Sequence, residues 1–272
     1  MRIDLHMHST ASDGVLAPFE LVRFAAANGI ELMAIADHDS VDGVEEAQKA
    51  DAGISVVTAV ELSADVDEMH ILGYGIDAAN ERLNEELARL KSYRNERNPK
   101  IIRKLQQLGM NISMQDLEKK MHHGSVGRPH IARILVQKGY VQNIREAFLL
   151  YLGSHGKAYV NRKKLPPEKC IDLIHAAGGI SVLAHPCTLG LSANALGAYV
   201  RELRDMGLKG LEVYHFKQHP NTHEYLDIAK KNGLLVSGGS DYHSGNELYA
   251  VDTDVQEGLT RMVSLLLAYT NK

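Results

Sequence analysis

Seven short apolar runs recur along the chain, at residues 1–6, 30–36, 54–60, 69–74, 180–184, 210–214 and 234–237. Each has the length and bounding residues of a buried strand. Between most of them lie helical stretches, at residues 18–28, 44–50, 167–177, 195–206 and 222–232. Pro18 opens the first of these, and Gly29, Gly178, Gly207 and Gly233 stop four of them. Strands alternating with helices fit an α/β barrel or a doubly wound sheet. The middle breaks the rhythm. From about residue 80 to 152 no strand is expected, but four or five helical patterns are, most ended by Gly109, Gly124, Gly139 or Gly153. Each of these glycines is read as the left-handed residue that follows a helix. Ser113 with Asp116 reads as a capping box, and Pro129 as the first residue of another helix. Residues 98–156 are therefore read as a helical insertion into an α/β domain formed by 1–97 and 157–272.

The 272 residues are 44% hydrophobic and 24% charged, the make-up of a globular chain with a large core. A net charge of −4 disfavours duplex DNA binding by phosphate neutralisation. No apolar run reaches the roughly 18–20 residues of a membrane span. The start, MRIDLHMHST, has no apolar signal core, and Cys170 and Cys187 are too few for a disulfide or zinc framework. A reducing, cytoplasmic setting is expected. One imbalance is informative: 14 histidines against 4 phenylalanines and no tryptophan. Histidine is the commonest metal ligand.

The histidines and carboxylates recur at one kind of place. His6 and His8, two apart on a strand, share a face. Asp13 follows in the next loop, His38 ends the second strand, Glu61 the third, and His70 lies on the fourth. His185 ends the strand SVLAHP, and Asp241 and His243 follow the last strand in SGGSDYH. Strand ends of a barrel converge on one face, where active sites form. Six histidines and three carboxylates exceed the four ligands of one zinc and suit two or three divalent ions, with Glu61 as a bridge. Three carboxylates against two or three dications leave a positive site that favours phosphate. The mixed donors suit Mn, with Fe or Zn as alternatives. His175, His215, His219 and His223 fit this placement less well and are read as solvated or capping residues, although His215 or water could protonate a leaving oxygen. Asp39 and Asp42 are read as caps of the following helix, and the charged stretch 81–104 as a solvated helix face. No GxGxxG or GxxxxGK[ST] phosphate loop is present.

HMHSTASDG, ADHDS, Glu61, His70, AHP and GGSDYH stand in the order and placement of the PHP (polymerase and histidinol phosphatase) superfamily, which the chain resembles. The resemblance implies a distorted seven-stranded (β/α) barrel with a helical insertion and a two- or three-metal centre. By that resemblance His6, His8, Glu61 and Asp241 hold one ion, Glu61, His70 and His185 a second, and Asp13, His38 and His243 a third. Asp13, His38, Glu61, His185 and His243 become the candidate catalytic residues. Arg128 and His130 stand at an expected helix start, which attracts phosphate; a cap or a plain ion pair is the structural alternative. GRPHIA followed by GKAYV is similar to the group containing the 3′,5′-nucleoside bisphosphate phosphatases, whose members also act as 5′-to-3′ exonucleases on short RNA. That similarity implies that Arg128, His130 and Lys157, with Ser9, contact substrate phosphate, and that a nucleotide or short single-stranded RNA is the partner. Alternatives are a phosphatase for histidinol phosphate or another small molecule, and a non-catalytic PHP module.

Overall fold

β1 (Arg2–Met7) runs through the middle of the molecule with five of its six residues buried. Its register with β2 (Leu32–Ile35) is parallel, and β2 is in turn parallel to β3 (Ser55–Ser63). The crossovers are α1 (Pro18–Ala27) and α2 (Val44–Gln48), as the apolar spacing requires. The computed structural model describes residues 1–66, 68–118, 126–245 and 248–270, leaving out the side chains of 217–219. β4 (His70–Tyr74) departs from the alternating rhythm. Too few residues separate it from β3 for a helix, so it returns antiparallel, and β5 (Ile180–Leu183) lies antiparallel against its other side. β6 (Gly210–Tyr214) and β7 (Leu235–Gly238) restore the parallel order, separated by α8 (Ala193–Asp205) and α9 (Thr222–Lys231) from their predecessors.

The seven expected strands are all present, and an eighth, β8 (Val251–Asp252), pairs antiparallel with the outer edge of β1. Beyond β7 the chain runs beside β1: the Tyr242 N–H donates to His6 O (3.3 Å) and the His8 N–H to Tyr242 O (2.9 Å). The sheet is thereby drawn into a nearly closed barrel. Its apolar core includes Leu5, Leu62, Leu72, Val182 and Leu211, and α7 (Pro167–Ala176) and α10 (Leu259–Thr270) pack against it.

The middle of the chain is helical, with changes from the expected pattern. α3 (Glu81–Gln107) is one 27-residue helix, held at its start by Asn80, whose side chain accepts from the Leu83 N–H. It crosses the expected boundary at residue 98. A second apolar cluster joins Ile101, Leu105, Ile131, Leu135, Leu152 and Ala158. It gathers α4 (Met114–Glu118), α5 (Arg128–Gln137) and α6 (Ile144–Ala147) around the C-terminal half of α3. The Ser113–Asp116 cap is formed reciprocally, with Ser113 N–H to Asp116 Oδ2 at 2.8 Å and Asp116 N–H to Ser113 Oγ at 3.3 Å. Gly109 (φ 85°) and Gly139 (φ 75°) take the left-handed conformation expected of them. Gly153 does not: its φ is −69°, and it ends a π-helical turn in which a Cβ would meet Phe148 O at 2.8 Å. Gly124 lies outside the described residues. Pro129 is the second helical residue of α5, one later than expected. Among the described residues no helix is long and apolar enough to cross a membrane.

Candidate metal centre and anion cavity

The ends of β1, β2, β3, β5 and β7 meet on one face of the barrel, and β4 places His70 beside them. Glu61, fully buried on β3, is the hub. Its carboxylate lies 3.3 Å from His6 Nε2, 3.4 Å from His8 Nε2 and 2.6 Å from His38 Nδ1. It also lies 3.2 Å from His70 Nδ1 and 3.0 Å from His185 Nε2. Asp241 Oδ1 stands 3.7 Å from His6 Nε2 and 3.4 Å from His8 Nε2. Asp13 completes the other flank, 3.2 Å from His243 Nε2 and 3.8 Å from His38 Nε2. All nine residues read from the sequence as ligands thus share one cluster. The backbone at His185 (φ 25°) and Asp241 (φ 53°) is left-handed, a costly conformation for residues with side chains, here located at two of the nine donors.

The donors fit divalent cations. Three sets can each present one ligand atom per residue within 4.8 Å: His8, Asp13, His38 and His243; His6, His8 and Glu61; His38, Glu61 and His70. His6 Nε2, His8 Nε2, His38 Nδ1 and Glu61 Oε2 are buried without a hydrogen bond among the described residues. Buried polar atoms left in that state call for a ligand. Burial opposes ionisation of Glu61, but the imidazoles of His38, His70 and His6 outweigh it and hold the carboxyl well below its usual range. Asp13 is held low in the same way against burial, by His243 and His38. Burial, with the facing His243 and His38, pushes His8 down to about 3, so its ring is neutral and its lone pair available.

Behind the donors stand residues that the sequence reading did not select. Glu212 on β6 lies 2.9 Å from His6 Nδ1 and accepts the His185 backbone N–H at 2.6 Å. Carboxylates in that position fix the tautomer of a metal-binding imidazole. Its signal was a lone carboxylate inside the apolar strand GLEVY. Asp37 accepts hydrogen bonds from Ser9 N–H (2.8 Å), Ser9 Oγ (2.6 Å) and Ser12 Oγ (2.5 Å). His215 is not solvated as expected: it is fully buried, its Nε2 3.7 Å from Asp241 Oδ2. His175 reaches Ser181 Oγ at 3.0 Å, His223 is exposed, and the side chain of His219 lies outside the described residues.

A cavity of about 500 Å³ opens onto the cluster, bordered by Asp13, His38, His70, Asp241 and His243. Its lining is also strongly cationic: Arg94, Arg97, Arg128, Arg133 and Arg162. Arg94 and Arg97 come from the stretch expected to be a solvated helix face, yet they are only 7% and 5% exposed. Asp39 does not cap α2. Its Oδ2 receives Arg94 (2.5 Å) and Arg162 (2.9 Å). Arg128 does line the cavity, its guanidinium 5.6 Å from the Phe148 ring centre and 5.8 Å from that of Tyr159. The other expected phosphate contacts sit elsewhere. The Ser9 hydroxyl is buried against Asp37, and His130 is buried with its Nδ1 accepting the Gly127 N–H (3.3 Å). Lys157 is exposed and is not part of the cavity wall.

This fold and donor set define a PHP phosphoesterase. The chain belongs to the PHP family: the PHP domain model matches residues 4–174. It is similar to a 5′-3′ exoribonuclease of Haemophilus influenzae, 38% identical over 89% of this chain and 90% of that one. It is also similar to a 3′,5′-nucleoside bisphosphate phosphatase of Chromobacterium violaceum, 32% identical over 90% of this chain and 88% of the relative. Among solved structures, a Chromobacterium violaceum protein described as an amidohydrolase, with bound sulfate and no metal, superposes with a TM-score of 0.91. It is 30% identical and the match covers 99% of this chain and 97% of that one.

Proposed function

We propose that the protein removes the 3′-phosphate of nucleoside 3′,5′-bisphosphates to give nucleoside 5′-monophosphates, and trims short single-stranded RNA from its 5′ end by the same chemistry. One observation carries this reading. Two places for phosphate line one cavity: the donor cluster, and a group of arginines in which Arg94 Nε, Arg97 Nε and Arg162 Nη1 are buried without hydrogen bonds among the described residues. A substrate with two phosphoryl groups occupies both. The 5′-phosphate lies against Arg94, Arg97, Arg128 and Arg162, whose planar forks match a tetrahedral oxyanion. Those arginines hold the nucleotide while the 3′-phosphoryl group is presented to the cluster. Divalent ions held by the nine donors, with manganese the best match to mixed imidazole and carboxylate ligands, would neutralise charge on the reacting phosphoryl oxygens and acidify water. Asp13, Glu61 and Asp241 supply the negative charge that would retain such ions, and His8, His38, His185 and His243 the imidazole donors.

The names of the relatives from Haemophilus and Chromobacterium support both halves of the proposal. The sulfate held in the Chromobacterium structure has the shape and charge of phosphate. The test is steady-state hydrolysis by manganese-loaded protein, with products identified by phosphorus NMR. Inorganic phosphate and a nucleoside 5′-monophosphate are the expected products. A preference for histidinol phosphate, or release of the 5′-phosphate instead, would overturn the assignment.

A further inference from the structure

We infer that a second cavity, lined by Phe216, Leu248 and Tyr249, binds the nucleobase on the 3′ side of the scissile phosphate when the substrate is single-stranded RNA. This rests on the function proposed above. The cavity has a volume of about 440 Å³ and shares Asp241, His243 and Ser244 with the arginine-walled one. Those three residues are therefore a partition, with the metal-binding donors Asp241 and His243 reached from both sides. With the 5′-phosphate on the arginines and the scissile phosphate at the cluster, the chain beyond it continues across this partition into the adjoining cavity. The two cavities differ in chemistry. One is cationic and suits phosphate. The other offers aromatic and aliphatic faces and, among the described residues that line it, no arginine or lysine.

Phe216 is 50% exposed, and its other face is held by the buried His215 ring, with centroids 4.8 Å apart and planes 27° from parallel. A backed, half-exposed aromatic ring is a stacking platform. Bases stack on such rings with little regard to sequence, as an exonuclease that removes one residue after another needs. A nucleoside bisphosphate has nothing beyond its 3′-phosphate and leaves this cavity empty. The same centre can therefore serve both substrates, with the aromatic cavity deciding how well RNA competes.

The experiment compares kcat/KM for a 5′-phosphorylated ribodinucleotide with kcat/KM for a nucleoside 3′,5′-bisphosphate, in the manganese-loaded wild type, Phe216→Ala, Tyr249→Ala and Phe216→Trp. The dinucleotide-to-bisphosphate ratio is expected to fall about tenfold in each alanine variant, as loss of one base stack implies, and to hold in Phe216→Trp. Bisphosphate turnover reports whether each variant is folded. A ratio within twofold of wild type in both alanine variants overturns the inference while leaving the proposed function standing. Wild type inactive on both substrates overturns the function itself. Wild type active on the bisphosphate alone removes the occupant and overturns the inference with it.

Discussion

Asp39 immediately follows the donor His38 but turns out of the cluster through a left-handed backbone (φ 49°). It then gathers the Ser63 N–H (2.8 Å), Arg94 and Arg162 around one buried carboxylate. Burial opposes its charge, yet the two guanidiniums hold it well below the usual carboxylate range. A carboxyl depressed in the folded chain stabilises above its unfolded pKa and loses that contribution as pH falls through the folded value. Asp39→Asn would strand two buried cations, at a cost of about 3–5 kcal/mol. In urea unfolding, the gap between wild type and variant is expected to be level from about pH 8 to about pH 5 and to narrow below about pH 4. A gap that widens in acid would contradict this. Arg97 is the opposite case. Burial, and then the like charges of Arg94, Arg128 and Arg162, lower its pKa. Removing it relieves that crowding and, on the proposed function, takes a partner away from the substrate's 5′-phosphate. Arg97→Ala is expected to raise KM for the bisphosphate about 10- to 150-fold, the worth of a charge-assisted hydrogen bond of about 1.5–3 kcal/mol. Metal content and Tm should not fall; a lower Tm with unchanged KM would make Arg97 a structural residue.

Elements were legible where period and chemistry coincided. β1, β2, β3, β5 and β7 end on chemically distinctive residues, so the strands and the donors were found by one pattern. α3 was misread for a physical reason. Charges of both signs on a helix ordinarily mean water, but here part of the charged face meets the cavity, and Asp39 takes water's place beside Arg94. Nothing in the spacing of one helix states what a distant loop brings to it. β6 shows a signal that was present but not used. GLEVY is buried throughout, and a carboxylate at its centre must have a partner inside the barrel. That partner is His6 Nδ1 at 2.9 Å, with the His185 N–H on the other oxygen. Glu212→Gln keeps the shape and loses the charge that orients His6. Metal retention is expected to weaken about 10- to 100-fold, read as ions per chain during chelator titration. Circular dichroism should be unchanged, since the amide fills the same volume. Retention equal to wild type would separate Glu212 from the metal centre.

At the scale of the whole molecule, the cluster exists because the barrel closes. His6 lies on β1 with His8 just beyond it, and Asp241 and His243 follow β7, so the seam between these strands sets the distances across the centre. The order of the motifs in the sequence implied such a ring. The eighth strand did not show, because two residues, Val251 and Asp252, carry no periodicity. The seam turns on Gly239. Its N–H donates to Tyr214 O (3.0 Å), and a Cβ there would stand 2.5 Å from both the His6 backbone nitrogen and the His6 Cβ. The neighbouring Ser240 N–H is fixed by Asp4 Oδ1 (2.9 Å), which also accepts the His6 N–H (3.2 Å), so the backbone has little room to yield. Gly239→Ala must therefore push β1 and the 239–243 segment apart. Overpacking of this kind costs about 1–3 kcal/mol. Because the displaced atoms carry His6 on one side and Asp241 on the other, the variant is expected to lose thermal stability and metal affinity together. Gly178→Ala supplies the control: Gly178 is also a glycine near a strand, but its Cβ would meet nothing within 4 Å and only its positive φ (77°) is strained. Tm should fall in both variants, and ions bound per chain only in Gly239→Ala. Equal metal loss in both would show that global destabilisation, rather than the geometry of the seam, governs retention.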